Sequence, residues 1–333
     1  MIDSHIHFSR DLGTDAMLRV LRGLDGAAVL SIPKGMRRTT NEDVAELARA
    51  CRRAGIGTKL YLFGGMDPEI YLRPAEETAR ALTETAERLL REGFRGVKLL
   101  EGKPNAKKDW HVPDFDGGVW EPFWRMAEER QIPVIMHVND PEDFWNASAD
   151  LSEEERAFRV RSGWMYDASF PDNEEQYRQV LTVLERHPSL RILFPHFFFM
   201  SLQTDRLARV FDRFPNVMTD VTPGVELFLN LSDHIDEARS FFHRYAGRIC
   251  CGTDIGSRQV IRADDAPLNT EETASRISLV RGFLESREDY TLTPDAYYRG
   301  PEPHAMHALR LTPAEREMVF GENFLRFIRE ETR

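Results

Sequence analysis

One unit recurs along the whole chain: a stretch with helical period, a short break at glycine or proline, then a compact apolar run. The breaks read Leu24-Asp25-Gly26, Ala54-Gly55-Ile56-Gly57, Glu92-Gly93-Phe94-Arg95-Gly96, Gln131-Ile132-Pro133, His187-Pro188, Phe214-Pro215 and Ala246-Gly247. Glycine ends a helix because it tolerates the left-handed conformation, and proline cannot continue one. Apolar runs follow at 27–32, 59–63, 97–100, 134–137, 191–194, 216–221 and 249–251, and the opening 1–8 makes the eighth. Between them Ala75, Ala79, Leu82, Ala86 and Leu89 share one helical face, as do Tyr177, Val180, Leu181 and Leu184. A helix over 41–54 is expected to start with Asn41 as N-cap and acidic residues in its first turn. Short apolar strands alternating with helices require a parallel sheet covered on both faces. Eight such units predict an α/β fold, a closed (β/α)8 TIM barrel forming one domain over 1–333. An open dinucleotide-binding sheet fits less well, because no glycine-rich phosphate loop follows the first strand.

Two stretches depart from the repeat. The segment 139–173, after the fifth strand, holds Trp145, Trp164, Tyr166 and the acidic run Glu153-Glu154-Glu155. An insertion after a barrel strand leaves from the catalytic face, so it reads as a lid or, equally, as a surface or subunit contact. Residues 288–311 form an irregular stretch before a last helix at 313–330.

Charge and composition narrow the function. The chain has 333 residues, with 44 Lys+Arg against 55 Asp+Glu and a net charge of −11. That acid excess offers no basic stripe for nucleic acid. No run approaches the length and apolarity of a transmembrane helix, and the N-terminus lacks the basic head and apolar core of a signal peptide. Three cysteines, Cys51, Cys250 and Cys251, build neither a disulfide framework nor a zinc knuckle. The expectation is a cytoplasmic protein with a small-molecule substrate, no nucleic-acid or membrane partner, and a homo-oligomer as the commonest assembly for such enzymes.

The residues that carry chemistry stand where the apolar runs stop. His5 and His7 are two apart on the first strand, so both imidazoles face the same side and can meet one metal ion. Lys98, His137, His196 and Asp254 end the fourth, fifth, sixth and eighth strands. In a barrel those ends converge on one pocket. Weaker candidates surround them. Glu101 and Lys103 could line the pocket but read first as a solvated loop, and Asp220 and Thr222, at the end of the seventh strand, are explained as well by capping the next helix. Arg258 could bind an anion. Phe197, Phe198 and Phe199 could form an apolar wall or plain core. His187 sits in a turn on the far face.

This set resembles the amidohydrolase superfamily, and most nearly its amidohydrolase-2 branch, which includes aminocarboxymuconate-semialdehyde decarboxylase. The closing Phe320-Gly321-Glu322-Asn323-Phe324-Leu325 is similar to that branch's C-terminal signature. The resemblance implies that His5, His7, His137 and Asp254 hold one divalent metal, typically Zn2+. Asp254 would double as catalytic base, and His196 would polarise the substrate or help activate water. Lys98 would bind substrate, or, carboxylated, would bridge two metals. The implied function is a metal-dependent hydrolase of a small ester, lactone or amide. The alternatives are a non-oxidative decarboxylase with the same metal set, a metal-independent lactonase and a barrel that only binds a ligand.

Overall fold

The structure, a computed structural model, describes residues 1–10, 13–32, 40–146, 151–224, 226–256, 270–298, 300 and 302–330. Eight strands are β1 (Ile2–His7), β2 (Gly26–Leu30), β3 (Lys59–Gly64), β4 (Gly96–Gly102), β5 (Val134–Val138), β6 (Ile192–Phe194), β7 (Val217–Asp220) and β8 (Ile249–Cys250). They lie side by side in sequence order, every neighbouring pair parallel. The seam between β1 and the chain leaving β8 closes through an Ile6–Ile255 bridge. Three backbone bonds reinforce it, Ser4 N to Cys251 O, His7 N to Ile255 O and Asp254 N to His5 O, each 2.8 Å. The expected (β/α)8 barrel is therefore the fold.

Around the sheet run α1 (Thr14–Leu21), α2 (Asn41–Arg53), α3 (Ala75–Arg91), α4 (Pro104–Asp109), α5 (Glu121–Glu129), α6 (Glu153–Ser162) and α7 (Asn173–Arg186). They continue as α8 (Thr204–Arg213), α9 (Leu227–Asp233), α10 (Ile235–Tyr245) and α11 (Thr270–Glu285). Helix α3 buries Ala81, Leu82, Ala86 and Leu89 against the sheet and leaves its charged face in water. Each such leucine stabilises the fold by about 1.5–3 kcal/mol. At the start of α2 the N-cap is Thr40 rather than Asn41. Thr40 and Asp43 form a capping box, and the Asn41 amide instead bonds both polar atoms of the Gly65 backbone. Asn41 is the better side chain for a cap in isolation, but its amide matches a loop backbone that only the tertiary fold supplies.

Beyond α11 the stretch 288–311 is less irregular than its sequence suggests, because β9 (Tyr290–Leu292) pairs antiparallel with β10 (His304–Met306). The last helix is broken into α12 (Pro313–Glu317), a π turn at Met318–Glu322 and α13 (Asn323–Phe327). Buried Asn323 donates to the carbonyls of Ala246 and Ile249, 2.7 Å each, and so pins this end to the base of β8. Phe324 and Phe327 plug the barrel floor against Phe63, Ile135, Leu193 and Cys250. The inserted stretch carries α6 and a separate aromatic cluster of Phe144, Trp164 and Tyr166, flanked by Trp145, Phe158 and Phe170.

Candidate metal centre

The mouth of the barrel is built from strand ends. His5 and His7 leave β1 on the same side with their Nε2 atoms 3.2 Å apart. Asp254 Oδ1 lies 3.2 Å from His7 Nε2 and 3.8 Å from His5 Nε2. Among the described residues these three form the one group of donor atoms that mutually lie within 4.8 Å. Their outer nitrogens are committed elsewhere. His7 Nδ1 faces the carbonyl of Leu30 at 2.7 Å, and His5 Nδ1 faces Asp220 Oδ2 at 3.2 Å. Both partners accept, so each ring keeps its proton on Nδ1 and turns an Nε2 lone pair inward. Two lone pairs 3.2 Å apart beside a carboxylate repel one another unless a cation lies between them. The donor set therefore fits a divalent metal ion, and the outer partners are the acceptors that orient metal-binding histidines.

Asp254 is held by design of the loop. It has φ 52°, a left-handed conformation rare for a non-glycine residue. Two residues on, Gly256 has φ +74°, and a Cβ there would lie 1.9 Å from the His7 carbonyl oxygen. Fully buried Asp3 ties this turn to β1. Its carboxylate accepts from the backbone N–H of His5 and Thr253, at 3.0 and 3.1 Å, and from the Thr253 hydroxyl at 2.5 Å. Burial pushes the Asp3 carboxyl up to about 7. It would push Asp254 up as well, but His7, His5 and Arg276 outweigh it and hold that carboxyl well below its usual range. Arg276 reaches Asp254 Oδ2 at 3.5 Å, bonds Glu272 at 3.0 Å, and lies 4.4 Å from the Tyr297 ring centroid.

The other expected residues surround the same cavity, of about 210 Å3, without joining the three-donor cluster. His137 and His196 stack edge to face, 5.1 Å between ring centroids. His137 Nε2 lies 3.4 Å from Asp140 Oδ1, out of hydrogen-bond alignment. Burial lowers His137 to about 4 and takes His196 well below the ordinary histidine range. His196 opens a run of left-handed residues through Phe199, φ 52–57°. Such strain persists where the surroundings fix it, and here Asp220 Oδ1 accepts the His196 and Thr222 backbone N–H groups, 3.0 Å each. Lys98, 1% exposed, has no hydrogen-bond partner for Nζ among the described residues. Burial brings its ammonium down to about 8, against the pull of Asp220 and Asp254.

Several readings change. Glu101 is not a solvated loop residue: β4 runs on through it, and its buried carboxylate accepts the Tyr71 hydroxyl at 2.8 Å. Burial raises it to about 7. Asp220 caps no helix but orients His5 and the His196 turn. Lys103 lines the cavity and pairs with Asp140. Phe199 faces the cavity, whereas Phe197 and Phe198 belong to the main core. Arg258 lies outside the described residues. Arg276, Tyr297 and Asp140 are cavity residues that sequence reasoning did not single out. Asp140, three residues beyond His137, was the one within reach of a local pattern.

Comparison with known proteins agrees with this architecture. A family model described as Amidohydrolase matches residues 2–329. No curated protein sequence matches the chain. Among solved structures, 5-carboxyvanillate decarboxylase from Sphingomonas paucimobilis is 15% identical, with TM-score 0.50 over 96% of this chain and 83% of its own. 2,6-Dihydroxybenzoate decarboxylase, solved with 2,6-dihydroxybenzoate, is 15% identical, with TM-score 0.51 over 98% of each chain. A candidate 2-pyrone-4,6-dicarboxylic acid hydrolase from Pseudomonas putida is 14% identical, with TM-score 0.54 over 100% of this chain and 98% of its own. At these identities the likeness is one of fold.

Proposed function

From the premise that the chain belongs to the amidohydrolase-2 family, we propose that it is a metal-dependent hydrolase of small esters, lactones or amides. One divalent ion, typically zinc, would be held by His5, His7 and Asp254, with His137 as the fourth ligand. The observation that carries this reading is the pair of inward Nε2 lone pairs, 3.2 Å apart, each fixed by an acceptor on the opposite nitrogen. Such an ion supplies Lewis acidity and lowers the pKa of water at the site to about 7.

The chain's own groups do the remaining work. In this reading Asp254 would ligate through Oδ1, beside His7 and His5, and the carboxylate would also receive the proton from water, with Oδ2 steadied by Arg276 at 3.5 Å. His196, with Nδ1 lacking a partner among the described residues, is placed to hydrogen-bond an oxyanion developing in the cavity. Phe144, Trp164 and Phe199 give the cavity apolar walls that exclude water from a small substrate. Lys98 offers its ammonium to an anionic substituent.

That ammonium favours a second reading, non-oxidative decarboxylation, because a buried cation without a hydrogen-bond partner among the described residues suits a substrate carboxylate. Two of the structural neighbours named above are decarboxylases. Elemental analysis of the purified protein tests the common premise. One zinc per chain is expected, two would support a carboxylated Lys98 bridge, and none would overturn metal dependence. A panel of esters, lactones and amides, run beside release of carbon dioxide from aromatic acids, then separates hydrolase from decarboxylase.

A further inference from the structure

Asp140 lies at a crossing of three parts of the chain. Its carboxylate is buried and receives Lys103 Nζ on both oxygens, at 2.6 and 2.5 Å. Lys103 follows directly on β4. The Tyr166 hydroxyl, from the inserted segment, donates to Oδ2. Oδ1 lies 3.4 Å from Nε2 of His137, on β5. Tyr166 is itself fixed within the segment: its N–H donates to the Phe144 carbonyl at 2.8 Å, and its ring packs on Trp145 and Phe170, with centroids 4.6 and 4.8 Å away. Asn105, in α4, adds a second polar tie by donating to the Gly163 carbonyl at 3.0 Å.

A carboxylate only accepts. His137 Nε2 makes no hydrogen bond to Asp140 Oδ1 at 3.4 Å, but a lone pair there would face a negative oxygen, so a neutral His137 carries its proton on Nε2 and leaves the lone pair on Nδ1. This is the reverse of His5 and His7, whose acceptors hold the proton on Nδ1. We propose that Asp140 is a positioning residue that selects the tautomer of His137 and, through Tyr166, ties that selection to the docking of the inserted segment. Lys103 reaches both oxygens while the Tyr166 hydroxyl holds Oδ2, so displacing Tyr166 leaves Lys103 alone to orient the acceptor that His137 meets. The inference builds on His137 being a residue of the proposed site, and needs neither the identity of the metal nor that of the substrate.

The test uses the full chain labelled with 15N in its histidine rings, both zinc-loaded and chelator-treated. Ring nitrogen shifts distinguish protonated from unprotonated nitrogens, and His137 is identified by its loss in His137→Gln. In the chelated protein, His137 is expected to show a protonated Nε2 where His5 and His7 show a protonated Nδ1. Tyr166→Phe keeps the ring and removes only the hydroxyl. It should move His137 toward a mixture of tautomers and speed hydrogen–deuterium exchange across 153–166 by about tenfold, the loss of one buried charge-assisted bond. Asp140→Asn, which can present an N–H to the ring, should shift His137 further the same way. A wild-type His137 protonated on Nδ1 overturns the proposal. So does a Tyr166→Phe protein in which exchange quickens while His137 stays unchanged, which would make the contact structural only. Zinc content measured on the same samples keeps the two ideas apart: the expected tautomers without bound zinc would reject the metal and retain Asp140's role.

Discussion

Replacing Asp220 with asparagine changes one atom and should undo the metal site. Asp220 is fully buried, and its two oxygens have different duties. Oδ1 accepts the backbone N–H groups of His196 and Thr222 at 3.0 Å each, while Oδ2 faces His5 Nδ1 at 3.2 Å and the Ser4 hydroxyl at 3.4 Å. In Asp220→Asn the two backbone donors pin the amide oxygen at the Oδ1 position, because the flipped amide would set its NH2 against both. The NH2 then faces His5 Nδ1, which can no longer donate. The proton must move to Nε2, removing the lone pair aimed at the metal, or the Nδ1–H must go without an acceptor. Losing a hydrogen bond to a charged group costs about 1.5–3 kcal/mol, and loss of an outer-shell partner weakens metal binding about 10–100-fold. Zinc affinity, read by competition with a chromogenic chelator, should therefore fall by about that factor while the melting temperature changes little. Asp220→Ala is the contrast. It strands two backbone donors and the imidazole, at about 1–3 kcal/mol each, a sum comparable with the about 5–15 kcal/mol that holds a domain folded. An Asp220→Asn protein that binds zinc as tightly as wild type would refute the tautomer argument.

Other expectations follow from the same geometry. His7→Ala should lose its zinc by elemental analysis while keeping the circular dichroism of the barrel; full metal occupancy would remove the proposed site. His196→Asn should retain about one metal and lose about 10²-fold in turnover on whichever ester or lactone the wild type accepts; a loss of metal instead would make His196 a ligand. Trp164→Ala should weaken substrate affinity with a small change in melting temperature, because Trp164 stacks on Phe144 in a cluster apart from the main core; unchanged kinetics would exclude the segment from substrate binding. Lys98→Met should alter the pH dependence of stability. Burial lowers Lys98 from 10.5 to about 8, so between those values the unfolded chain holds a proton the folded one has released, and wild-type stability rises with pH through this group. The wild-type melting temperature should accordingly gain on that of Lys98→Met across this window, and a constant gap would show Lys98 to be paired.

The barrel was legible because most strands are apolar runs, buried on both faces in β2, β4 and β5, that follow a glycine or proline break, a pattern no single misplaced residue can hide. His5 and His7 were legible for the same local reason, since spacing alone sends both to one side of β1. What escaped depends on contacts distant in sequence. Asp220 stands at a strand end where a helix cap is the ordinary reading, and only the approach of β1 makes it the partner of His5. Arg276 is one of many helical arginines until α11 carries it to Asp254. Glu101 carries a polar signal that tertiary structure overrides: β4 continues, and Tyr71 supplies the hydroxyl that makes burial tolerable.

The closing seam also orders events in time. His5 and His7 leave the ribosome well before Asp254, and the seam that brings them together spans contacts separated by 250 residues, as between Asp3 and Thr253. At about 5–20 residues per second that interval lasts about 10–50 s. Throughout it the paired imidazoles on β1 lack their carboxylate, the Asp220 acceptor of His5 comes late too, and an ion captured early would have to be held by the two rings alone. On the proposed reading, metal loading waits for the moment the eighth strand of the barrel meets the first.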